Sequence, residues 1–243
     1  MPVRRVLAVI PSHNEEEALP AVIASLREAA ARLPWELEAV VVDDGSTDST
    51  ASRALSLGVR VVRLCRNLGI GGAMQVGLRM AHRGGFDCAV QVDGDGQHPP
   101  GELARLVARL EEDPAPDLVV GSRFRERAGF RSTPMRRLGI RWFSLLLRAL
   151  CRLRVTDPTS GFRVYGPRAL ALFDRSFPYD YPEPEALVLA QLSGLRIVEE
   201  PVAMLERQGG RSSIRGVLSS SYYVLKVTVA MVLAVGRARL RED

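Results

Sequence analysis

Through the first half of the chain, short apolar runs alternate with longer segments of helical periodicity. Residues 6–10 and 88–90 are continuous apolar runs, and 37–42, 59–64 and 118–121 also read as strands. Residues 18–33, a short stretch ending at 57, a segment running to about 83, and 102–110 read as helices. Runs that stay apolar without alternation suit strands covered on both faces. Strand and helix patterns in turn call for an α/β fold, a mostly parallel sheet with helices on both sides. In such sheets ligands bind beyond the carboxyl ends of the strands. The polar segments 11–17, 43–50, 66–73 and 91–100 each begin at such an end, so they are expected to form one composite site. Ser12 or Asn14 can cap the helix that follows the first strand, with the acids at 15–17 in its first turn offsetting the macrodipole. Gly69, Gly71 and Gly72 lack the G-x-G-x-x-G order and follow the third strand, so they make no dinucleotide fingerprint.

The second half is less regular. Residues 133–153 scan as a helix on which Arg137, Arg141, Arg148 and Arg152 fall within an arc of about 60°. Trp142, Phe143 and four leucines take most of the remaining circumference. This pattern suits a half-buried helix with a solvated basic face, or a helix lying on a membrane surface. A polar turn at 156–163 leads into a strand-like Val164-Tyr165, a helix is expected over 186–192, and a strand over 196–202. Residues 217–235 are apolar and just long enough to span a bilayer. Lys226 at the centre would cost roughly 2.5–3.5 kcal/mol on insertion. Arg215, Lys226 and Arg237 recur every 11 residues and so share one face. The expectation is an amphipathic helix on a bilayer or against a membrane partner.

Composition narrows the class. At 243 residues and 47% hydrophobic content the chain can bury one substantial core. Its net charge of +5 suggests an anionic partner, although only Lys226 among the 33 basic residues is lysine, as a genome-wide coding bias would give. Without arginine–aromatic interleaving that would stack bases, nucleic acid is not expected. Cys65, Cys88 and Cys151 are odd in number, far apart and set in apolar contexts, and read as reduced core residues of a cytosolic protein rather than a disulfide framework or a metal site. The N-terminus runs straight into the first strand, with no secretory h-region.

The chemistry concentrates in Gln91-Val92-Asp93-Gly94-Asp95-Gly96-Gln97-His98-Pro99-Pro100. It should form the exposed end of a buried strand. Carboxylates at i and i+2, with glycines beside them, can aim at one point, and the amide of Gln97 follows. These are hard oxygen donors, suited to Mg²⁺ or Mn²⁺ rather than zinc, with open positions for substrate phosphates.

Pro11…Asn14-Glu15-Glu16, Val42-Asp43-Asp44-Gly45-Ser46, Asp93-Gly94-Asp95-Gly96-Gln97-His98-Pro99, Gly121-Ser122-Arg123 and Asp157-Pro158-Thr159-Ser160-Gly161-Phe162 occur in that order. On these motifs the chain resembles the family 2 glycosyltransferases, and within them the dolichol-phosphate mannose synthase and polyprenyl-phosphate glycosyltransferase branch. The likeness covers residues 6–213. It implies a GT-A (Rossmann-like) domain over 1–213, followed by a membrane-associated or partner-binding helical tail over 214–243.

By this resemblance Pro11, Asn14 and Glu15 line the base and ribose pocket and Asp44 closes it. Asp93, Gly94 and Asp95 meet the nucleotide-sugar, with Asp93, Asp95 and Gln97 holding the cation. Arg123, Arg136 or Arg137, Ser160 and Arg207 take the acceptor phosphate. Glu185 is a helix-borne acid facing the acceptor, so Asp95, Arg123, Glu185 and Arg207 form the catalytic group. Ser212 and Ser213 stand where the family often has Ser-Lys, so one phosphate contact is missing.

The implied reaction is metal-dependent, inverting transfer of a sugar from a GDP- or UDP-sugar to a polyprenyl phosphate. It would occur at the cytoplasmic membrane face, with a peripheral enzyme and room for a small integral-membrane partner. A phosphate acceptor is already ionised and needs no general base. A sugar-hydroxyl acceptor would need one, with Glu185 or Asp157 as candidates. Besides that second acceptor class, a non-catalytic subunit that binds nucleotide-sugar is the remaining alternative, and the intact Asp93/Asp95 pair argues against it.

Overall fold

A computed structural model describes residues 2–124, 134–179, 181–205 and 216–239. Seven strands form one sheet: β1 (Arg5–Ser12), β2 (Glu36–Asp43), β3 (Arg60–Arg63), β4 (Cys88–Gln91), β5 (Leu118–Ser122), β6 (Arg163–Tyr165) and β7 (Ile197–Pro201). Their order is β3-β2-β1-β4-β6-β5-β7. All neighbouring pairs are parallel except those of β6, which runs antiparallel to both β4 and β5. The order turns back between β1 and β4, and a crevice is expected outside the carboxyl ends of strands at such a switch point.

Side-chain alternation builds two cores. Leu7, Val9, Val40, Val42, Ala89 and Val120 face one side of the sheet. Val6, Ala8, Ile10, Val41, Val90 and Val119 face the other. The first side is covered by α3 (Gly69–Arg83), α5 (Pro134–Cys151), α6 (Pro167–Arg175), α7 (Pro182–Leu192) and α8 (Gly216–Arg239). The second is covered by α1 (Leu19–Ala30), α2 (Thr50–Ser56) and α4 (Leu103–Ala108), the last flanked by single 3₁₀ turns. The continuous apolar strands thus mark a sheet buried on both faces, as expected.

Cys65, expected in the core, is exposed because it follows the edge strand β3, and further features depart from the pattern or sharpen it. Helix α1 begins at Leu19, after the acids, with no side-chain cap and no acid in its first turn. Asn14 cannot cap it because its backbone is left-handed (φ 55°) and its side chain turns to a neighbouring loop. Helix α6, for which the sequence reading gave no element, is short; it buries Ala169, Leu170 and Phe173 on one face, and Pro167 at its first turn pre-sets the backbone for it. Phe143 on α5 is fully buried, edge-on to Tyr223, and so belongs to the core rather than to any membrane-facing surface. The α3 glycines serve close packing: a Cβ at Gly71 would lie 2.0 Å from the carbonyl oxygen of Pro178, and one at Gly77 2.2 Å from Val9.

Helix α8 contributes Val227, Met231, Ala234 and Val235 to the core. Among the described residues no helix is long and apolar enough to cross a membrane.

Candidate active site

The loops after β1 and β2 are sewn together. Because Asn14 is left-handed, its N–H reaches Ser46 Oγ at 3.0 Å, while its Oδ1 accepts from the Thr47 N–H at 2.9 Å. The Glu15 N–H donates to Thr50 Oγ1, and Glu16 and Asp48 each accept from the opposite loop. Asp44 is buried; its N–H donates to the Ser12 carbonyl and its Oδ1 accepts from the Leu68 N–H at 2.7 Å. Pro11, Asn14 and Asp44, expected at the nucleotide, therefore lie on one braced rim with Glu15 beside them. Gly45 (φ +67°) lets the chain pass Arg66, where a Cβ would come within 2.8 Å.

The acidic turn follows β4 and packs against this rim. A Cβ on Gly94 would meet Ser12 Oγ at 2.7 Å, so glycine is what lets the Asp93–Asp95 turn approach β1. Asp93 is partly exposed, and its Oδ1 accepts from Gln91 Nε2 at 2.9 Å. Asp95 is only 4% exposed, and its Oδ1 accepts from the Gln97 N–H at 3.0 Å. The turn is thus more enclosed than an exposed strand end, since Gln97 is itself tied through its carbonyl to Leu205.

The residues before β6 reach the same edge because that strand is antiparallel. Gly161 lies against Gln91 and Asp93: a Cβ there would be 2.6 Å from Gln91 Nε2 and 3.4 Å from Asp93 Oδ2. Ser160 is buried with its Oγ unpartnered, beside a turn whose Asp157 is gripped by Arg123. The Arg123 fork, expected on the acceptor phosphate, is engaged by this carboxylate and by Thr159 Oγ1, because both groups are buried and opposite in charge. Arg163, fully buried, holds the same turn through the carbonyls of Ser160 and Pro158.

The Pro-Glu-Pro-Glu segment opens α7, and its two acids diverge. Glu185 lines a cleft of about 620 Å³ between α7 and α8, together with Tyr181, Leu189, Lys226, Val227 and Ala230. No residue of the acidic turn lines that cleft. Glu183 instead feels the charges of Arg163, Asp93 and Arg123; burial, the largest influence, pushes its carboxyl above the usual range while Arg163 opposes. Arg137 is exposed on α5. The Arg136 side chain and Arg207, Ser212 and Ser213 lie outside the described residues.

Sequence reasoning quoted Gln91 and Gly161 within motifs but gave neither a role, and it gave Glu183 none. Gln91 carried a signal: it is the one polar residue closing an apolar strand, and at i−2 from Asp93 its side chain points to the same side. For Gly161 and Glu183 the reason is tertiary, since only the antiparallel return of β6 and the packing of α7 bring them in.

For a divalent cation the donor set is two carboxylates on one turn with an amide beside them, all hard oxygens. Among the described residues no cluster of three or more His, Cys, Asp or Glu side chains converges. Two carboxylates and an amide on one turn would leave positions for substrate oxygens, as Mg²⁺ and Mn²⁺ take them.

The model of glycosyl transferase family 2 matches residues 7–172. An undecaprenyl-phosphate mannosyltransferase from Micrococcus luteus is 36% identical over 222 residues, 87% of this chain and 88% of that protein. A polyprenol monophosphomannose synthase from Mycolicibacterium smegmatis is 31% identical over 226 residues, 88% of this chain and 83% of that protein. Glucosyl-3-phosphoglycerate synthase from Mycobacterium tuberculosis, solved with Mn²⁺ and UDP-glucose, superposes with a TM-score of 0.71 at 22% identity, over 96% of this chain and 79% of that one. At that identity the likeness shows the GT-A fold alone. The family match and the two relatives show more: the chain belongs to glycosyl transferase family 2 and is a glycosyltransferase.

Proposed function

We propose that this enzyme transfers a sugar from a GDP- or UDP-sugar to a polyprenyl phosphate, working as a peripheral protein on the cytoplasmic membrane face. The two relatives are named for polyprenyl-type acceptors. The observation that carries the acceptor class is an exposed apolar face on two packed helices. On α5, Leu138, Trp142 and Leu145 recur at i, i+4 and i+7, and all three are exposed. Trp142 Nε1 donates to Thr228 Oγ1 of α8, whose outward residues include Tyr222, Leu225, Val229 and Val232. Arg137, Arg141 and Arg148 run along α5 beside the apolar strip. An apolar face edged by arginines suits a bilayer surface carrying anionic lipid.

In this reading Asp93 and Asp95 hold Mg²⁺ or Mn²⁺ on the donor's diphosphate, with Gln97 beside them. Bound there, the cation neutralises charge that builds on the departing diphosphate. Pro11, Asn14, Glu15 and Asp44 hold the nucleoside. An oxygen of the acceptor phosphate forms a bond to the anomeric carbon from the face opposite the diphosphate. The bond to the diphosphate breaks, that group takes the electron pair, and configuration inverts. Arg123 acts by pinning the 157–163 turn against the acidic turn, while Arg136 or Arg137, Arg207 and Ser160 meet the acceptor phosphate. A small integral-membrane partner would share the α5–α8 face.

A hydroxyl acceptor finds less support. Of the two carboxylates that could act as its base, Asp157 is fully buried against Arg123 and Glu185 lines the α7–α8 cleft.

The test is incubation with undecaprenyl phosphate, Mn²⁺ and radiolabelled GDP-mannose, UDP-glucose or UDP-N-acetylglucosamine. One donor should deliver label to the organic phase, and EDTA should abolish it. Label appearing only in water-soluble glycoside with every donor would overturn the polyprenyl reading.

A further inference from the structure

We propose that His98 is a positioning residue for the Asp93 carboxylate, and through it for the cation. This rests on the metal-dependent reading above. His98 is only 4% exposed, and its ring stacks on Phe162 with centroids 4.7 Å apart and planes 9° from parallel. Its Nδ1 lies 3.0 Å from the backbone nitrogen of Asp93, which can only donate. Nδ1 must therefore be the unprotonated nitrogen, and the ring proton is on Nε2. That Nε2 lies 3.6 Å from Asp93 Oδ2, too far for a hydrogen bond but close enough to bias the carboxylate electrostatically.

The contacts divide the work on Asp93. Gln91 Nε2 holds Oδ1 at 2.9 Å from the strand side. His98 anchors the backbone at the point where the chain leaves β4 and faces Oδ2. The Phe162 stack carries the ring on the segment that also brings Gly161 up to Asp93. Asp93 is thereby braced by groups from both of its sequence flanks and from the β6 approach. Ligating carboxylates held by such outer contacts lose affinity for metal when those contacts are removed.

Two variants separate this role from packing. His98→Phe keeps a ring on Phe162 but offers the Asp93 N–H nothing. His98→Asn offers Oδ1 on Cγ, where the imidazole carries Nδ1. With GDP or UDP present, His98→Phe should weaken Mn²⁺ binding, read by electron paramagnetic resonance, roughly 10–100-fold. Its kcat should fall more than its KM for the donor rises. His98→Asn should recover most of the Mn²⁺ affinity. In the metal-free wild-type protein, nitrogen-15 NMR should show His98 Nδ1 unprotonated and Nε2 bearing the proton.

A folded His98→Phe protein that binds Mn²⁺ like the wild type would overturn the proposal, as would an Asn variant no better than Phe. If His98→Phe does not fold, the NMR measurement decides, and a protonated Nδ1 overturns the proposal. A wild-type protein that binds no Mn²⁺ with either nucleotide overturns the metal reading itself, and this role with it.

Discussion

Arg123 Nε and Nη2 lie 2.7 Å from opposite oxygens of Asp157, and both side chains are buried. This pair joins the end of β5 to the turn before β6, and Glu199 on β7 secures that turn from below by accepting from the Thr156 and Asp157 N–H groups at 2.8 Å. Removing one partner leaves a buried charge uncompensated, which typically costs about 3–5 kcal/mol. Asp157→Ala and Arg123→Ala should therefore both lower the denaturation midpoint markedly. Arg123→Lys should rescue only in part, since an ammonium cannot reproduce the two-pronged contact. Urea titration checks this, and an Arg123→Ala protein as stable as wild type would remove the pair's structural role.

The cation prediction is sharpest at Asp95. Because its Oδ1 also closes the turn on the Gln97 N–H, asparagine is the informative replacement. Asp95→Asn can keep that hydrogen bond while removing the charge. Turnover should fall on the order of 100-fold or more, as when a group stabilising transition-state charge is lost. Thermal stability without ligand should stay near wild type. Calorimetry with Mn²⁺ and nucleoside diphosphate should show the lost affinity, and undiminished binding would mean that Asp95 is not a ligand.

Asn14 should link backbone strain to donor binding, because its left-handed backbone and its bonds to Thr47 hold the loops after β1 and β2 together. Asn14→Ala loses the bonds and meets the steric cost of the left-handed region, together roughly 2 kcal/mol. Asn14→Gly avoids the steric part and should be the milder change in stability. Both should raise the donor KM, while the acceptor KM moves less. Equal stability of the two variants would show that the backbone conformation contributes nothing.

The membrane prediction concerns the outward faces of α5 and α8. Apolar burial and attraction to anionic lipid should act together, and salt weakens only the second. Flotation with anionic liposomes should thus be strong at low salt and partial at high salt. A Leu225→Glu, Val229→Glu double variant should lose it while still binding nucleoside diphosphate, because both side chains are exposed. Binding of that variant equal to wild type would place the lipid contact elsewhere.

Much of the fold was legible because burial on both faces leaves a local trace. The central strands carry apolar runs, each ends in a polar loop, and those loops converge because parallel strands share one exit edge. The acidic turn was legible for the same reason: Asp93 and Asp95 closely follow β4. The partners of those residues left no such trace. Whether Arg123 points at a ligand or at Asp157 depends on two segments 34 residues apart meeting in a dry interior, where opposite charges must pair. The same holds for the Pro-Glu-Pro-Glu segment, where the packing of α7 sets Glu183 among the charges of Arg163, Asp93 and Arg123 and puts Glu185 on the α7–α8 cleft. Periodicity records which residues avoid water. It is silent on which polar groups meet once they do, and here that was decided by the antiparallel return of β6 and the close approach of glycines at 71, 94 and 161.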